Sequence, residues 1–331
     1  MATPSEATTG EGRTEPAGEV LPLLSVLIET LNEEMGEGEV RLGNVLEGLK
    51  EQTYPQEKME ILVVLGGSSS GLAAYLTERY PYVKQLPFDG TAYFPMKNHA
   101  LPYAEGDIIA FLDSDCIPSS GWAASIVNVI SAGADVSAGK TRYPPGAPLC
   151  RTLGVFDFGH VEGNESGEAS GFLAGNCAFR RDVILQNPYD KRIRRSGGCY
   201  LLARQLRSKN YKLRYNAEQF VVHGYNVREQ GYLRKRLRSG YDTILLSRID
   251  EHGVLPEGRF LRFGLLAPLL SSASRLLYDF RRIVYNRRDL EIPLYAIPYF
   301  YLVAILMRSV EIAGGLVTVV RPDYLKKKYD W

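Results

Sequence analysis

The apolar stretch Ile108-Ile109-Ala110-Phe111-Leu112 ends abruptly on the polar residues Asp113-Ser114-Asp115-Cys116. A short apolar run of this kind, bounded here by Gly106 and Pro118, is typical of a strand buried in a parallel sheet. Open α/β sheets bind their ligands at the carboxyl ends of the strands. The carboxylates of Asp113 and Asp115 can therefore turn toward one hard cation, Mg²⁺ or Mn²⁺, that bridges the oxygens of a diphosphate. An Asp-x-Asp triplet also marks many solvated strand ends, so the neighbouring sequence must decide.

Composition excludes several classes of protein. The chain has 331 residues, of which 45% are hydrophobic, and this is enough for a substantial core. Its 39 Lys and Arg residues against 38 Asp and Glu residues give a net charge of +1, so we expect no nucleic-acid partner. The 4 cysteines are widely spaced and no secretory signal is visible, which argues against a zinc site or a disulfide framework. Residues 1–20 lack apolar periodicity and predict a disordered tail.

Strand and helix patterns alternate after this tail. The strand-like runs at 21–28 and 59–65 are each followed by helical spacing, at 40–52 and 72–80. This order predicts βαβ units and therefore a doubly wound, mainly parallel α/β sheet. Further along, the pattern predicts helices at 122–130 and 199–208, a strand at 134–141, and a last strand at 212–222 that ends at His223. The acidic, glycine-rich segment 161–171 reads either as a mobile flap or as a plain surface loop.

Several short motifs recur in a specific order between residues 21 and 225. They are Ser25-Val26-Leu27-Ile28 with Thr30, Asn32 and Glu33; Glu60-Ile61 and Val64 with Gly67-Ser68; Asn98; Asp113 and Asp115; Gly175-Asn176 with Ala178-Phe179-Arg180-Arg181; and His223. Together they resemble the family 2 glycosyltransferases of GT-A fold. The resemblance implies transfer of a sugar from a nucleotide diphosphate sugar, usually UDP-linked, with inversion at the anomeric carbon.

The resemblance also implies a division of roles among the site residues. Donor contacts are expected from Thr30, Asn32, Glu33, Gly67, Asn98 and Asp113; acceptor-side contacts from Gly175 and Asn176; and metal contacts from Asp113, Asp115 and His223. The metal would neutralise the charge that builds on the leaving diphosphate. Two of these side chains also have ordinary structural explanations: His223 as the cap of a strand end, and Asn98, with Lys97, as a polar pair at the start of a helix.

Three departures from the family pattern bear on function. Glu29-Thr30 stands where the family has Pro-Thr, and Leu65-Gly66 stands where acidic residues usually hold uridine, so the uracil specificity is open. Segment 197–201 has no carboxylate where the family carries its general base, and a base contributes about 10²–10⁴ in rate. The nearest substitutes in sequence are Asp190, Glu162, Glu165 and Glu168. Alternatively, the acceptor is activated by its own phosphate or by the metal, or the protein is an inactive binding or scaffold protein.

The last third, residues 227–331, predicts a helical appendage to a nucleotide-sugar-binding domain of residues 21–226. Basic and apolar residues alternate at helical spacing over 225–248, which is typical of a helix packed on the domain or of one facing anionic headgroups. Apolar segments follow at 260–277 and 292–307; the second is too short to span a bilayer unless it includes Arg308 and Glu311, and Pro293 and Pro298 interrupt it. These patterns favour a peripheral or re-entrant membrane appendage over a span, with a buried helical subdomain or a dimer interface as the alternative.

The sequence thus predicts a membrane-associated hexosyltransferase of polysaccharide or glycolipid biosynthesis, acting on a lipid-linked or glycan acceptor. Lys326-Lys327-Lys328 suits the cytoplasmic face of a membrane, or a solvated tail.

Overall fold

The computed structural model describes residues 21–31, 38–66, 70–90, 92–144, 148–161, 167–224, 229–288 and 290–329. The tail predicted for residues 1–20 lies outside the described residues, as do residues 162–166 of the acidic segment 161–171. The strands are β1 Leu24–Glu29, β2 Met59–Leu65, β3 Lys84–Pro87, β4 Ile108–Asp113, β5 Cys116–Pro118, β6 Val136–Arg142, β7 Asn176–Arg180 and β8 Leu213–His223.

Helices of varied length connect and follow these strands. They are α1 Gly38–Lys50, α2 Ser70–Arg79, α3 Tyr93–Ala100, α4 Trp122–Ser131, α5 Pro148–Asp157, α6 Arg181–Gln186, α7 Gly198–Ser208, α8 Glu229–Ile249, α9 Ala267–Tyr285, α10 Ile297–Val320 and α11 Tyr324–Tyr329. A 3-10 helix, Pro256–Leu266, leads into α9. The βαβ order predicted for the first third is therefore present.

One mixed sheet in the order β3-β2-β1-β4-β7-β6-β8-β5 forms the centre of the fold. Strands β3, β2, β1 and β4 run parallel, whereas β7 is antiparallel to both of its neighbours. Strand β8 pairs in parallel with β6 and antiparallel with the short β5. The sheet is mostly parallel, as predicted, and its switch in direction beside β4 places the end of that strand at an opening suited to a ligand.

Strand β4 is buried on both faces, which explains its uninterrupted apolar sequence. Ile109 and Phe111 pack into a core on one side of the sheet, while Ile108, Ala110 and Leu112 pack into a core on the other. Helix α4 covers the second side with the fully buried Trp122. Successive side chains of a strand point to opposite faces, and here both faces are dry until the chain reaches Asp113.

The carboxyl-terminal helices pack on one another by close backbone contact. A Cβ atom added at Gly314 of α10 would lie 2.0 Å from the carbonyl oxygen of Leu237 in α8, and one at Gly240 would lie 1.9 Å from that of Glu311. Helix α10 runs unbroken from Ile297 to Val320. The predicted interruption at Pro298 is wrong, because this proline lies in the first turn, where its missing N–H needs no partner.

Two helical segments, Pro256–Tyr285 and Leu294–Val320, are long and apolar enough to cross a membrane, judged by length and composition alone. Arg308 and Glu311 lie within the second segment, yet both are buried and paired. Arg308 contacts Glu311 at 2.5 Å and Asp279 of α9 at 2.6 Å. The two charges therefore do not prevent α10 from presenting an apolar outer face, on which Leu302 is 54% exposed.

Candidate active site

Asp113 ends β4 inside a buried hydrogen-bond network. Its carboxylate accepts hydrogen bonds from the hydroxyl of Tyr93, at 2.7 and 2.9 Å, and from Nζ of Lys97, at 2.8 Å. Burial by itself would raise the pKa of this carboxyl, but the charge and hydrogen bond of Lys97 outweigh it and lower the pKa. Asp113 is therefore held as a carboxylate whose oxygens already have protein partners.

Tyr93 and Lys97 reach Asp113 from one face of α3, because they lie four residues apart in that helix. Lys97 is 1% exposed, and its ammonium lies 4.6 Å from the centroid of the Tyr93 ring. Burial alone would lower the pKa of Lys97, but the negative charges of Asp113 and Glu29 raise it. The lysine thus provides a fixed positive charge at the end of β4.

A second cluster begins two residues later, with Asp115, Cys116 and His223. Their ligand atoms lie within 4.8 Å of one another, and Nε2 of His223 is 3.7 Å from Oδ1 of Asp115. The pairing of β5 with β8 brings them together, since Cys116 lies opposite His223 in the register. The rings of Tyr143 and Phe158 pack against the imidazole of His223, with their centroids 5.6 and 5.5 Å from its centroid.

This cluster has ligand chemistry that suits a divalent cation. A carboxylate oxygen and an imidazole nitrogen are both acceptable to Mn²⁺, and a diphosphate and water would complete the shell. The Cys116 thiol is a soft group whose pKa burial raises well above its usual value, so it is a poor ligand for Mg²⁺ or Mn²⁺. Asp115 and His223 have ligand atoms that suit such a cation. Asp113, which we also predicted as a ligand, forms an ion pair with Lys97 in this structure.

Glu29 introduces a third carboxyl group beside the two aspartates. It lies next to Asp113 across the β1–β4 register and is 1% exposed. Its Oε2 accepts a hydrogen bond from the N–H of Leu31 at 2.7 Å, whereas Oε1 is buried without a hydrogen-bond partner. Burial, reinforced by the charge of Asp113, raises the pKa of Glu29 to about 8. Glu29 is therefore largely protonated at neutral pH, which spares the site a further buried negative charge.

The predicted donor and acceptor residues fall into two groups. Asn32, Glu33 and Gly67 lie outside the described residues. The other side chains are engaged by the protein itself: Thr30 donates to the carbonyl oxygen of Val64 at 2.9 Å, and Asn98 bonds both backbone groups of Tyr189.

Gly175 and Asn176, predicted on the acceptor side, have structural roles here. Asn176 is fully buried, and its amide bonds the indole N–H of Trp122 at 2.9 Å and the carbonyl oxygens of Lys140 and Gln219 at 3.0 Å. A Cβ atom at Gly175 would lie 2.3 Å from Oδ2 of Asp113, so only glycine leaves room for this carboxylate.

None of the predicted substitutes for the general base that the structure describes has the surroundings of a base. Asp190 is paired with Arg192 at 2.6 Å, and hydrogen bonds from this arginine lower the pKa of the carboxyl. Glu168 is exposed and forms an isolated β-bridge with Arg214. Glu162 and Glu165 lie outside the described residues.

Segment 197–201 at the start of α7 has no carboxylate of its own, but a carboxylate from elsewhere in the chain lies beside it. The carboxylate of Glu257, on the 3-10 helix Pro256–Leu266, accepts a hydrogen bond from the hydroxyl of Tyr200 at 3.3 Å. Gly198 in the same turn packs on Phe94, the neighbour of Tyr93. Sequence reasoning missed Glu257 because it is 57 residues from Tyr200 and belongs to no motif.

Residues 25–187 match the family model described as Glycosyl transferase family 2. These residues form a domain of this family. A curated relative is the glycosyltransferase AglE of Haloferax volcanii, which is 27% identical over 259 residues, 74% of this chain and 82% of the relative. The match supports a sugar transferase and accounts for the order of the motifs.

Solved structures share the fold of this chain. The mannosyltransferase PcManGT from Pyrobaculum calidifontis, in complex with GDP-Man and Mn²⁺, superposes with a TM-score of 0.60 at 16% identity, over 95% of this chain and 91% of that one. GalNAc-T7 with UDP, GalNAc and Mn²⁺ gives a TM-score of 0.50 at 16% identity, over 63% of this chain and 45% of that one. At these identities the likeness shows the GT-A fold alone.

Proposed function

We propose that this glycosyltransferase transfers a hexose from a UDP- or GDP-linked sugar to a lipid-linked or glycan acceptor, with the help of Mg²⁺ or Mn²⁺. The observation that carries the proposal is the convergence of Asp115 and His223 at the end of β4. The structural relatives named above hold GDP-Man or UDP together with Mn²⁺. A bound cation would offset the charge of the leaving diphosphate, with Asp115 and His223 as its protein ligands.

The other residues at the end of β4 position the donor. Lys97 and Tyr93 fix the carboxylate of Asp113 at the strand end, where it can accept a hydrogen bond from the donor ribose. The protonated carboxyl of Glu29 limits the negative charge beside it. The ammonium of Lys97 balances the charge of Asp113, which leaves Asp115 as the carboxylate assigned to the metal.

Glu257 is assigned as the general base that removes the proton of the acceptor hydroxyl. What supports this assignment is its contact with Tyr200 in the first turn of α7, the position at which the sequence has no carboxylate of its own. Glu257→Gln should lower kcat by about 10²–10⁴ and leave donor affinity unchanged. Glu251→Gln, which changes an exposed carboxylate paired with Arg192, is the matched control. Equal kcat in both variants would exclude Glu257 as the base.

The proposed acceptor and localisation rest on the outer surfaces of α9 and α10. Leu277 and Tyr285 of α9 are 60% and 83% exposed, and Leu306 of α10 is 58% exposed. Apolar surface of this kind suits an appendage that lies on or in a membrane, and Lys326-Lys327-Lys328 suits its cytoplasmic face. An acceptor carried by a lipid would then meet the site at the membrane surface.

A titration tests the donor and metal assignments together. We expect GDP or UDP to bind in the presence of Mn²⁺ and to bind at least tenfold more weakly without it. Asp115→Asn should abolish this dependence on Mn²⁺, whereas Asp182→Asn, which removes a charge paired with Arg180 on the surface, should retain it. Absence of binding by either nucleotide, with or without the metal, would refute the proposal. Binding without transfer of sugar in a donor screen would identify an inactive binding protein instead.

A further inference from the structure

A cavity of about 150 Å³ lies between the loop that precedes α7, helix α8, and the ends of α10 and α11. This volume is roughly ten times what one buried water needs. We call it the basic cavity; its lining residues include Arg194, Arg195, Arg238, Arg248, Asp242 and Lys326. It contains none of the residues assigned above to the donor, the metal or the base.

The lining of the basic cavity has an excess of positive charge. Arg192 completes a set of six cationic side chains, against two carboxylates, Asp242 and Asp323. Arg192 is neutralised outside the cavity by Asp190 and Glu251, which leaves five cations against two carboxylates. The lining residues themselves therefore carry a net positive charge.

The cations are close enough to repel one another. Burial, together with the positive charges of Arg195 and Arg234, lowers the pKa of Arg238 to about 10. The carboxylate of Asp242 acts in the opposite direction on Arg238, although burial raises its own pKa to about 7. A cavity lined by several guanidinium groups and by fewer carboxylates is an arrangement by which proteins bind anions.

The surroundings of the cavity are apolar and basic. Thr318, Pro322 and Lys326 line it from the end of α10 and the start of α11. On the same segment, Val320 is 63% exposed and Tyr324 is 44% exposed. An anion at this point would therefore sit beside exposed apolar side chains, as the headgroup of a lipid does beside its acyl chains.

We propose that the basic cavity is a binding site for a phosphate group, and that the phosphate is the headgroup of an anionic lipid. Arginine side chains from the loop and from α8 would contact the phosphate oxygens, while Val320 and Tyr324 would contact the acyl region. Phosphate and arginine pair by charge-assisted hydrogen bonds, and several guanidinium groups can share one phosphate. The site goes beyond the proposed sugar transfer, which uses other residues.

Charge reversal at the rim of the cavity tests this site. The variant Arg194→Glu with Arg248→Glu reverses two cations, neither of which has an ion-pair partner within the part of the chain that the structure describes. The control is Arg79→Glu with Lys212→Glu, which makes the same change in net charge at two exposed positions outside the cavity lining. A milder variant, Arg194→Gln with Arg248→Gln, serves if charge reversal impairs folding.

Two probes distinguish the sources of phosphate. The full-length protein is titrated with inorganic phosphate by calorimetry, and is sedimented with phosphatidylcholine vesicles that contain or lack phosphatidic acid. We expect the wild type and the control to bind both probes, with vesicle binding dependent on phosphatidic acid, and the cavity variants to bind each at least tenfold more weakly. Mn²⁺-dependent nucleotide binding should be unchanged in all of them, which separates this result from a failure of the proposed function.

The remaining outcomes decide between the two parts of the proposal. Loss of inorganic phosphate binding with unchanged vesicle binding would support the phosphate site and overturn the lipid as its source. Equal binding of both probes by wild type, cavity variants and control would overturn the proposal as a whole.

Discussion

Replacing Lys97 by methionine would test most directly how the buried charge of Asp113 is balanced. The side chain of Lys97 is fully buried, and its ammonium is 2.8 Å from Oδ1 of Asp113. Methionine keeps most of the apolar stem and removes the charge. Asp113 would then be a buried carboxylate with the hydroxyl of Tyr93 as its remaining side-chain donor.

Two routes give the expected loss of stability. Removing one partner of a buried ion pair generally costs about 3–5 kcal/mol. Alternatively, Asp113 takes up a proton; because the ordinary pKa of an aspartate is 3.8, protonation at pH 7 costs about 4 kcal/mol, at 1.36 kcal/mol per unit. The two routes agree, so we expect Lys97→Met to lower the free energy of unfolding by about 4 kcal/mol at pH 7.

The loss of unfolding free energy in Lys97→Met should become smaller as the pH falls. In the variant, the folded-state pKa of Asp113 is raised above its unfolded value, so the folded state binds the extra proton and gains stability toward acid. The wild-type carboxyl has a lowered pKa and stays ionised over this range. Glu29, with a pKa of about 8, is protonated in both proteins at pH 7 and at pH 5. Between these values the difference should fall by about 2–3 kcal/mol.

Denaturant unfolding of both proteins at pH 7 and pH 5 measures these quantities. Lys50→Met is the matched control, because Lys50 forms a surface pair with Glu47 at 2.9 Å with both side chains more than 40% exposed; its loss should stay below about 0.5 kcal/mol. A loss under about 1 kcal/mol for Lys97→Met, or one that does not change with pH, would refute the reasoning.

Two close glycine contacts and the raised pKa of Glu29 give three further predictions. Gly175→Ala should weaken Mn²⁺-dependent nucleotide binding at least tenfold in a calorimetric titration, since its Cβ would lie 2.3 Å from the carboxylate of Asp113. Gly314→Ala should lower the unfolding free energy by about 2–3 kcal/mol, because its Cβ would meet the backbone of Leu237 at 2.0 Å and separate two helices. Glu29→Gln should flatten the pH dependence of stability: with a pKa raised from 4.5 to about 8, the wild type loses about 1.4 kcal/mol per unit as the pH rises through this range.

Each of these predictions has its own control. Gly258→Ala adds a Cβ whose nearest heavy atom is 3.9 Å away, so it should leave both nucleotide binding and stability nearly unchanged. Glu105→Gln changes an exposed carboxylate and should keep the wild-type pH dependence. Wild-type nucleotide affinity in Gly175→Ala would contradict the close contact at Gly175, and wild-type stability in Gly314→Ala would contradict the one at Gly314. A wild-type pH profile in Glu29→Gln would contradict the raised pKa of Glu29.

The sequence predicted the end of β4 because local pattern determines it. An apolar run that ends on two carboxylates marks the end of a buried strand, and the structure ends β4 at Asp113 with Asp115 two residues beyond. Tyr93 and Lys97 could have been found by the same kind of reasoning, since their spacing in α3 puts both on one helix face. Their partner, Asp113, could not have been identified in this way, because no local pattern in the sequence shows which strand end α3 faces.

The contacts that depend on strand register could not be predicted from the sequence. Strand β5 has three residues, too few to show a period, yet its pairing with β8 brings Cys116 opposite His223. Asn176 was expected on the acceptor side because it lies in a motif; the structure places its amide in the core, where it bonds Trp122, Gln219 and Lys140. A polar residue in a motif can serve the fold as readily as the chemistry, and burial distinguishes the two.

Arg308 and Glu311 of α10 were expected from the sequence to disfavour membrane contact. In the structure, ion pairs of Glu311 link the carboxyl-terminal helices to the candidate active site. Glu311 contacts arginines of α8 and α9, and Arg236 of α8 also pairs with Asp157 at the end of α5. Asp157 in turn accepts a hydrogen bond from the hydroxyl of Tyr143 at 2.9 Å, and the ring of Tyr143 packs on His223. Buried ion pairs contribute little net stability but disfavour other arrangements of the helices that carry them. A membrane that fixes the outer face of α10 would therefore also fix the position of the histidine assigned to the metal.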